Sequence, residues 1–194
     1  MSFTIKMQEQ QEFTDSKFIK PGISTVKITE MTAMEPEDTT KSSYISVKFE
    51  TEDGKLADSK FYFSDAARPY SETALGNIIT AVGYSGDVTG KTLSDTASKL
   101  MKAIGNKFFR HRFTGEEIAG KIDETTGKQK TNWWKASFAT MTKWATESVN
   151  TNPSRLRPLS TDKNDKGYKY DWKHLPTADV IGSNGQSASD DLPF

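Results

Sequence analysis

Lys107-Phe108-Phe109-Arg110-His111-Arg112-Phe113 is the stretch on which the fold turns. Phe109, His111 and Phe113 alternate with Phe108, Arg110 and Arg112, the two-residue period of a strand with one wet face. It follows two segments of helical period, so strand pairing resumes after a helical interruption. The opposite register would put Phe109 and His111 outside and bury Arg110 and Arg112. Two buried arginines are costly, which disfavours that choice.

Working outward, the same period recurs upstream. Ile23 to Met31 follows Pro21-Gly22 and sets Val26 and Ile28 against Thr25 and Lys27. Tyr44 to Phe49 sets Ile45, Val47 and Phe49 against Tyr44, Ser46 and Lys48, and it runs into Glu52-Asp53-Gly54-Lys55, where Asp-Gly signals a hairpin. Lys60 to Phe63 places Phe61 and Phe63 opposite Lys60 and Tyr62. Downstream, Trp133 to Phe138 sets Trp134, Ala136 and Phe138 against Trp133, Lys135 and Ser137.

Between the third and fourth strands the period becomes helical. Leu75, Ile78, Ile79 and Val82 share a face behind Ser71 as N-cap, and Gly83 closes the segment. Thr92 and Asp95 have capping-box spacing ahead of Ala97, Leu100, Met101 and Ile104, with Gly105 at the stop. Residues 115–132 read as a long connection. Five strands with a helical insert between the third and fourth is the order of an OB-type five-stranded barrel in a mainly β domain.

The chain has 194 residues, enough for one domain and a tail. Residues 1–20 read as an N-terminal extension, 21–149 as the OB-type domain, 150–189 as a flexible linker and 190–194 as an acidic tip. Apolar residues are 34% of the chain, and beyond Asn150 both periods vanish into Asn, Ser, Gly, Pro, Asp and Lys. Tyr168, Tyr170 and Trp172 interrupt that polar run; they either dock on the barrel or touch a ligand.

The absence of cysteine excludes disulfides, thiolate metal sites and cysteine nucleophiles, and it fits a cytoplasmic location. His111 and His174 have no ligand spacing, Glu116-Glu117 stands alone, and no Gly-rich phosphate loop occurs, which argues against a nuclease or other enzyme and implies no cofactor and no metal. No stretch approaches a membrane span.

Twenty-six basic and 26 acidic side chains cancel, but the segment from Lys107 to Lys143 holds eight Lys or Arg against four acids. The outward sides of the expected strands, with the adjoining Lys107, collect Lys27, Tyr44, Lys48, Lys60, Tyr62, Lys107, Phe108, Arg110, Arg112, Trp133 and Lys135. That set contains no carboxylate. Flat rings stack on unpaired bases and cations meet phosphates, neither contact depending on base identity, so the set has the makings of a single-strand platform. Taken singly, each of these residues reads equally well as an ordinary exposed strand position.

The chain ends Ser189-Asp190-Asp191-Leu192-Pro193-Phe194, after Gly182-Ser183-Asn184-Gly185-Gln186. This ending, with the strand order, resembles the single-stranded DNA-binding (SSB) proteins of bacteria and their phages, in particular small phage-type members. The resemblance implies a protein that protects single-stranded DNA in replication, recombination or repair, in the host cytoplasm if it is phage-encoded. It also implies that Phe194 enters an apolar pocket on partner replication or recombination proteins, with Asp190 and Asp191 on a basic rim and Leu192 and Pro193 completing the tip. The N-terminal start typical of bacterial members is absent, the tip has only two acids and the helical insert is longer, which favours a monomer or homodimer over a tetramer. A single-strand annealing protein, or an OB module that binds an acidic protein, would carry the same face.

Overall fold

The computed structural model describes residues 17–38, 40–122, 124–129, 131–138 and 145–175. The strand periods of the sequence become β1 (Gly22–Met34), β2 (Tyr44–Thr51), β3 (Leu56–Tyr62), β4 (Phe109–Ile118) and β5 (Trp133–Phe138). They pair in the order β3-β2-β1-β4-β5, every neighbour antiparallel. Two short strands, β6 (Thr146–Ser148) and β7 (Trp172–Lys173), also pair with β4, β7 in parallel. The result is a mainly β fold built on a seven-stranded, open, mixed sheet.

The sheet curls so that its two edges approach. Lys135 Nζ on β5 lies 3.1 Å from Asp58 Oδ2 on β3, and the Phe61 and Phe138 rings meet edge to face at 5.1 Å. Among the described residues no hydrogen-bonded ladder joins β3 to β5.

The inward positions follow the alternation in the sequence. Val26, Ile28, Ile45, Val47, Phe49, Phe61, Phe109 and Phe113 are fully buried, and Phe49 stacks on Phe138 at 5.1 Å. Burying one such side chain is worth roughly 1.5–3 kcal/mol, so this row dominates the stability of the sheet. The β2–β3 hairpin turns at Gly54, whose φ of 78° is open to glycine at little cost, and Thr51 N–H bonds Lys55 O at 2.9 Å.

The helical insert is α1 (Arg68–Ala81) and α2 (Leu93–Ile104). In α2, Thr92 Oγ1 accepts from Asp95 N–H at 3.1 Å, while the Asp95 carboxylate accepts from Lys91 N–H at 2.8 Å, and Ala97, Leu100, Ala103 and Ile104 are buried. In α1 the expected cap is displaced. The helix starts three residues before Ser71, with Pro at its first turn, and the Ser71 hydroxyl instead donates to Tyr62 O at 2.7 Å, tying the helix to the end of β3.

The linker expected over 150–189 proves to be a covering strap as far as residue 175. Residues 150–175 run along β4 and include α3 (Lys166–Asp171). Leu156 and Asp171 are buried, Trp172 Nε1 donates to Ser160 O at 2.8 Å, and the strap carbonyls of Thr151 and Arg157 receive arginines of β4. The Trp172 ring lies on Gly115, where an added Cβ would come within 2.4 Å of it. Of the three aromatics left open by the sequence, Trp172 docks, Tyr168 stacks at 5.8 Å on His174, and Tyr170 stands in solvent. Residues 176–189 lie outside the described residues, as do residues 1–16 of the expected extension. Among the described residues no helix is long and apolar enough to cross a membrane.

Candidate functional site

The register of β1, β2 and β3 arranges the outward side chains in rows. Met34, Tyr44 and Tyr62 form the first, then Thr32, Ser46 and Lys60, then Glu30, Lys48 and Asp58, and last Lys27, Glu50 and Leu56. A bulge in β1 between Ile28 and Glu30 creates this arrangement by inserting one extra residue, so that Glu30, Thr32 and Met34 face outward where unbroken alternation would send them in.

The first two rows form an aromatic patch. The Tyr44 and Tyr62 rings are 5.5 Å apart and tilted by 55°, Lys60 Nζ sits 4.6 Å from the Tyr44 ring centre, and Tyr62 and Met34 are 43% and 48% exposed. A cation over a tyrosine face is attracted by the ring quadrupole. The patch therefore offers one accessible ring, Tyr62, beside the half-buried Tyr44 ring and its lysine.

The other rows are charge-paired. Lys48 Nζ contacts Glu30 Oε2 at 2.6 Å, Lys27 Nζ contacts Glu50 Oε1 at 3.3 Å, and Lys135 contacts Asp58. The Lys48 hydrogen bond and charge, with a further bond from Thr32, hold the Glu30 carboxyl below its ordinary range, so it stays ionised at neutral pH. The outer face is thus not the carboxylate-free surface expected from the sequence: bulge and register bring Glu30, Glu50 and Asp58 beside its lysines. Solvent-accessible ion pairs of this kind are weak, so the lysines can exchange partners at little cost.

Two of the expected cations have other roles. Arg112 is buried beneath the strap, with an ion pair to Asp171 at 2.5 Å and an Nε–H bond to Arg157 O at 2.6 Å. Arg110 pairs with Glu147 at 3.2 Å and donates to the carbonyls of Ser148, Val149 and Thr151. Burial pushes the Glu147 carboxyl up, but bonds from Ser154 Oγ and Arg155 N–H and the Arg110 charge bring it below its usual value overall. The outward register was right for both arginines, yet the face they point to is covered by chain that gave no periodic signal.

The remaining expected residues fall into separate groups. Phe108 is half-buried under Lys27 Nζ at 5.7 Å, and Lys107 Nζ reaches the Tyr84 ring at 5.7 Å. Trp133 is 46% exposed at the far end of β5, paired with Ile118. Among the described residues no ring contact links Tyr62, Phe108 and Trp133, so the structure brings together Tyr44, Lys60 and Tyr62, sets Lys27 over Phe108, and leaves Trp133 apart from both. Met34 and Tyr84 were missed. The bulge that exposes Met34 has no signature in the alternation, whereas Tyr84 could have been noticed as a lone ring in the loop between Gly83 and Gly86.

His111 is fully buried as expected from the chosen register. Its ring stacks on Phe138 at 3.6 Å and Nδ1 lies 2.8 Å from Thr146 Oγ1, which supplies the polar partner a buried imidazole needs. Burial, and secondarily the Arg112 charge, push its pKa well below the usual histidine value. Glu117 accepts from Asn132 Nδ2, Leu175 N–H and the His174 ring, fixing the end of the strap. Among the described residues no group of three His, Cys, Asp or Glu is placed to hold a metal ion. The tip residues Asp190, Asp191, Leu192, Pro193 and Phe194 lie outside the described residues. The chain matches no known protein family, and no curated protein is detectably similar to it in sequence.

Proposed function

We propose that this protein binds single-stranded DNA without sequence preference on the outward face of β1, β2 and β3. The pair of exposed Tyr62 and half-buried Tyr44, with Lys60 over the Tyr44 ring, is the observation that carries the reading. Unpaired bases have π-faces for the tyrosines, and the backbone has phosphates for Lys60 and for Lys48 and Lys27 once they leave their weak ion pairs. The strand order supports the same reading. An OB fold is a partly open five-stranded barrel that binds oligonucleotides on its second and third strands, and here β3-β2-β1-β4-β5 curls until Asp58 and Lys135 meet across the gap. In this reading β6, β7 and the strap are additions to that barrel. The tip from Asp190 to Phe194 recruits replication or recombination proteins, as its resemblance to SSB endings implies.

Anisotropy of a labelled oligo-dT, titrated at low and high salt against a duplex of equal length, tests the reading. Single strand is expected to bind and duplex to bind far more weakly, with affinity falling steeply as salt rises. Tyr44→Ala and Tyr62→Ala should each cost about 1–3 kcal/mol of binding, while Arg112→Lys, at a covered site, should leave the affinity of the folded protein unchanged. Equal binding of single strand and duplex, or tyrosine variants that bind like the wild type, would rule the platform out.

A further inference from the structure

A second aromatic and basic cluster lies away from the tyrosine pair, in the loop that joins α1 to α2. Tyr84 is 36% exposed there and borders an open pocket of about 400 Å³ lined by Asp87, Val88, Thr89, Lys99 and Lys102. The ring is held in place by the chain around it. Gly83 turns at φ 72°, Tyr84 N–H bonds Ile79 O at 3.1 Å, and Gly86 leaves the ring room that a side chain would take, since a Cβ there would come within 3.0 Å of it.

The cations around the ring are not equivalent. Lys99 is engaged by Thr89 O at 2.9 Å and Asp95 at 3.0 Å, so it braces the loop. Lys107 Nζ stands 5.7 Å from the Tyr84 ring centre, and Lys102 is exposed in the last turn of α2. Asp87 lines the same pocket and repels a phosphate. A phosphate is therefore drawn to Lys102 and Lys107 rather than to the Asp87 carboxylate.

The cluster is also continuous with the outer face of the sheet. Lys107 adjoins Phe108, which lies under Lys27, and Lys27 stands in the row of Glu50 and Leu56. Tyr84, Lys107, Phe108 and Lys27 thus trace a line from the helical insert to the end of the sheet opposite Tyr44 and Tyr62. Along β2 those two ends are six residues apart, roughly 20 Å at strand rise.

We propose that Tyr84 is a second stacking point for the same strand: one base lies on its ring and the neighbouring phosphates meet Lys102 and Lys107. The inference rests on the single-strand reading and extends it to a ligand that spans the sheet and reaches the insert. A strand too short to cover both ends engages only one of them, so the contribution of Tyr84 grows with ligand length.

Labelled oligo-dT of increasing length, bound by the full chain and by Tyr84→Ala, Tyr84→Phe and Tyr62→Ala, tests it, with thermal melts to show that each variant is folded. Tyr84→Ala should match the wild type on the shortest strands that bind and lose about tenfold on long ones, with Tyr84→Phe close to wild type throughout. Lys102→Ala and Lys107→Ala should each lower the slope of log affinity against log salt by about 0.7 on long strands. Photo-crosslinking of long 5-iodouracil strands to the wild-type chain should label Tyr84. If Tyr84→Ala binds every length like the wild type and no crosslink forms there while Tyr62→Ala still weakens binding, the second point is wrong and the platform stands. If the wild-type chain binds no single strand at all, both fall.

Discussion

His111 sits in the interior as a neutral ring, stacked on Phe138 and bonded to Thr146. Its folded pKa is far below the unfolded value of about 6.5, so below that pH the unfolded chain binds a proton that the folded chain refuses. Its stabilising share is therefore complete above about pH 6.5 and is lost as pH falls toward the folded pKa. Denaturant unfolding should show stability dropping by up to about 1.4 kcal/mol per pH unit between pH 6.5 and 5, above the range where carboxylates titrate. The drop should flatten in His111→Gln, whatever that change does to absolute stability. An equal slope in both proteins would mean that the ring is not sealed. Tyr62 makes the opposite kind of residue-level statement, because it is exposed beside half-buried Tyr44 where packing alone gives a large ring no reason to be.

Among the elements, β1 to β5 and α2 were readable from their repeating periods, whereas β6 and β7, at three and two residues, are too short to show one, and the end of β4 at residues 115–118 was read as part of a connection. Thr92 and Gly105 even marked the ends of α2. α1 was readable in its buried face but not in its start, since Ser71 looks like a cap and is consumed by Tyr62 O. The bulge in β1 and the strap were not readable at all. A bulge changes one backbone residue without changing composition, and the strap is held by isolated polar anchors. Asp171 is one of those anchors: buried itself, it takes buried Arg112 and, at 2.7 Å, Ser160 N–H. Asp171→Ala should cost about 3–5 kcal/mol in urea unfolding, because it leaves a buried guanidinium unpaired, and Arg112→Met combined with Asp171→Leu should recover much of that. A cost below about 1 kcal/mol would mark the strap as a loose surface segment. The candidate site was legible in its residue types but not in its neutrality, for the acids that face its lysines come from strands whose register the sequence does not state.

At the scale of the whole molecule, both flanks of the domain are tied to the sheet. Lys17 O accepts from Leu56 N–H and Ile19 N–H bonds Leu56 O, so the incoming chain pairs with the start of β3, and the strap pins the outgoing chain to β4. Deleting residues 176–194 should leave the melting temperature unchanged, since every anchor described here ends by Leu175. It should leave oligo-dT affinity equal to or higher than that of the full chain, as an acidic tip competes with DNA for the lysines of the face. A lower melting temperature, or loss of DNA binding, would show that the tail belongs to the domain. The approach of Trp172 to Gly115 has a consequence for how such a chain can vary over time. Any side chain at 115 collides with the indole, and a shrunken residue at 172 leaves a void over the glycine, so either change alone is penalised. Gly115→Ala should therefore be tolerated far better alongside Trp172→Leu than by itself in thermal melts, and in a set of diverged sequences the two positions should be inherited as a pair.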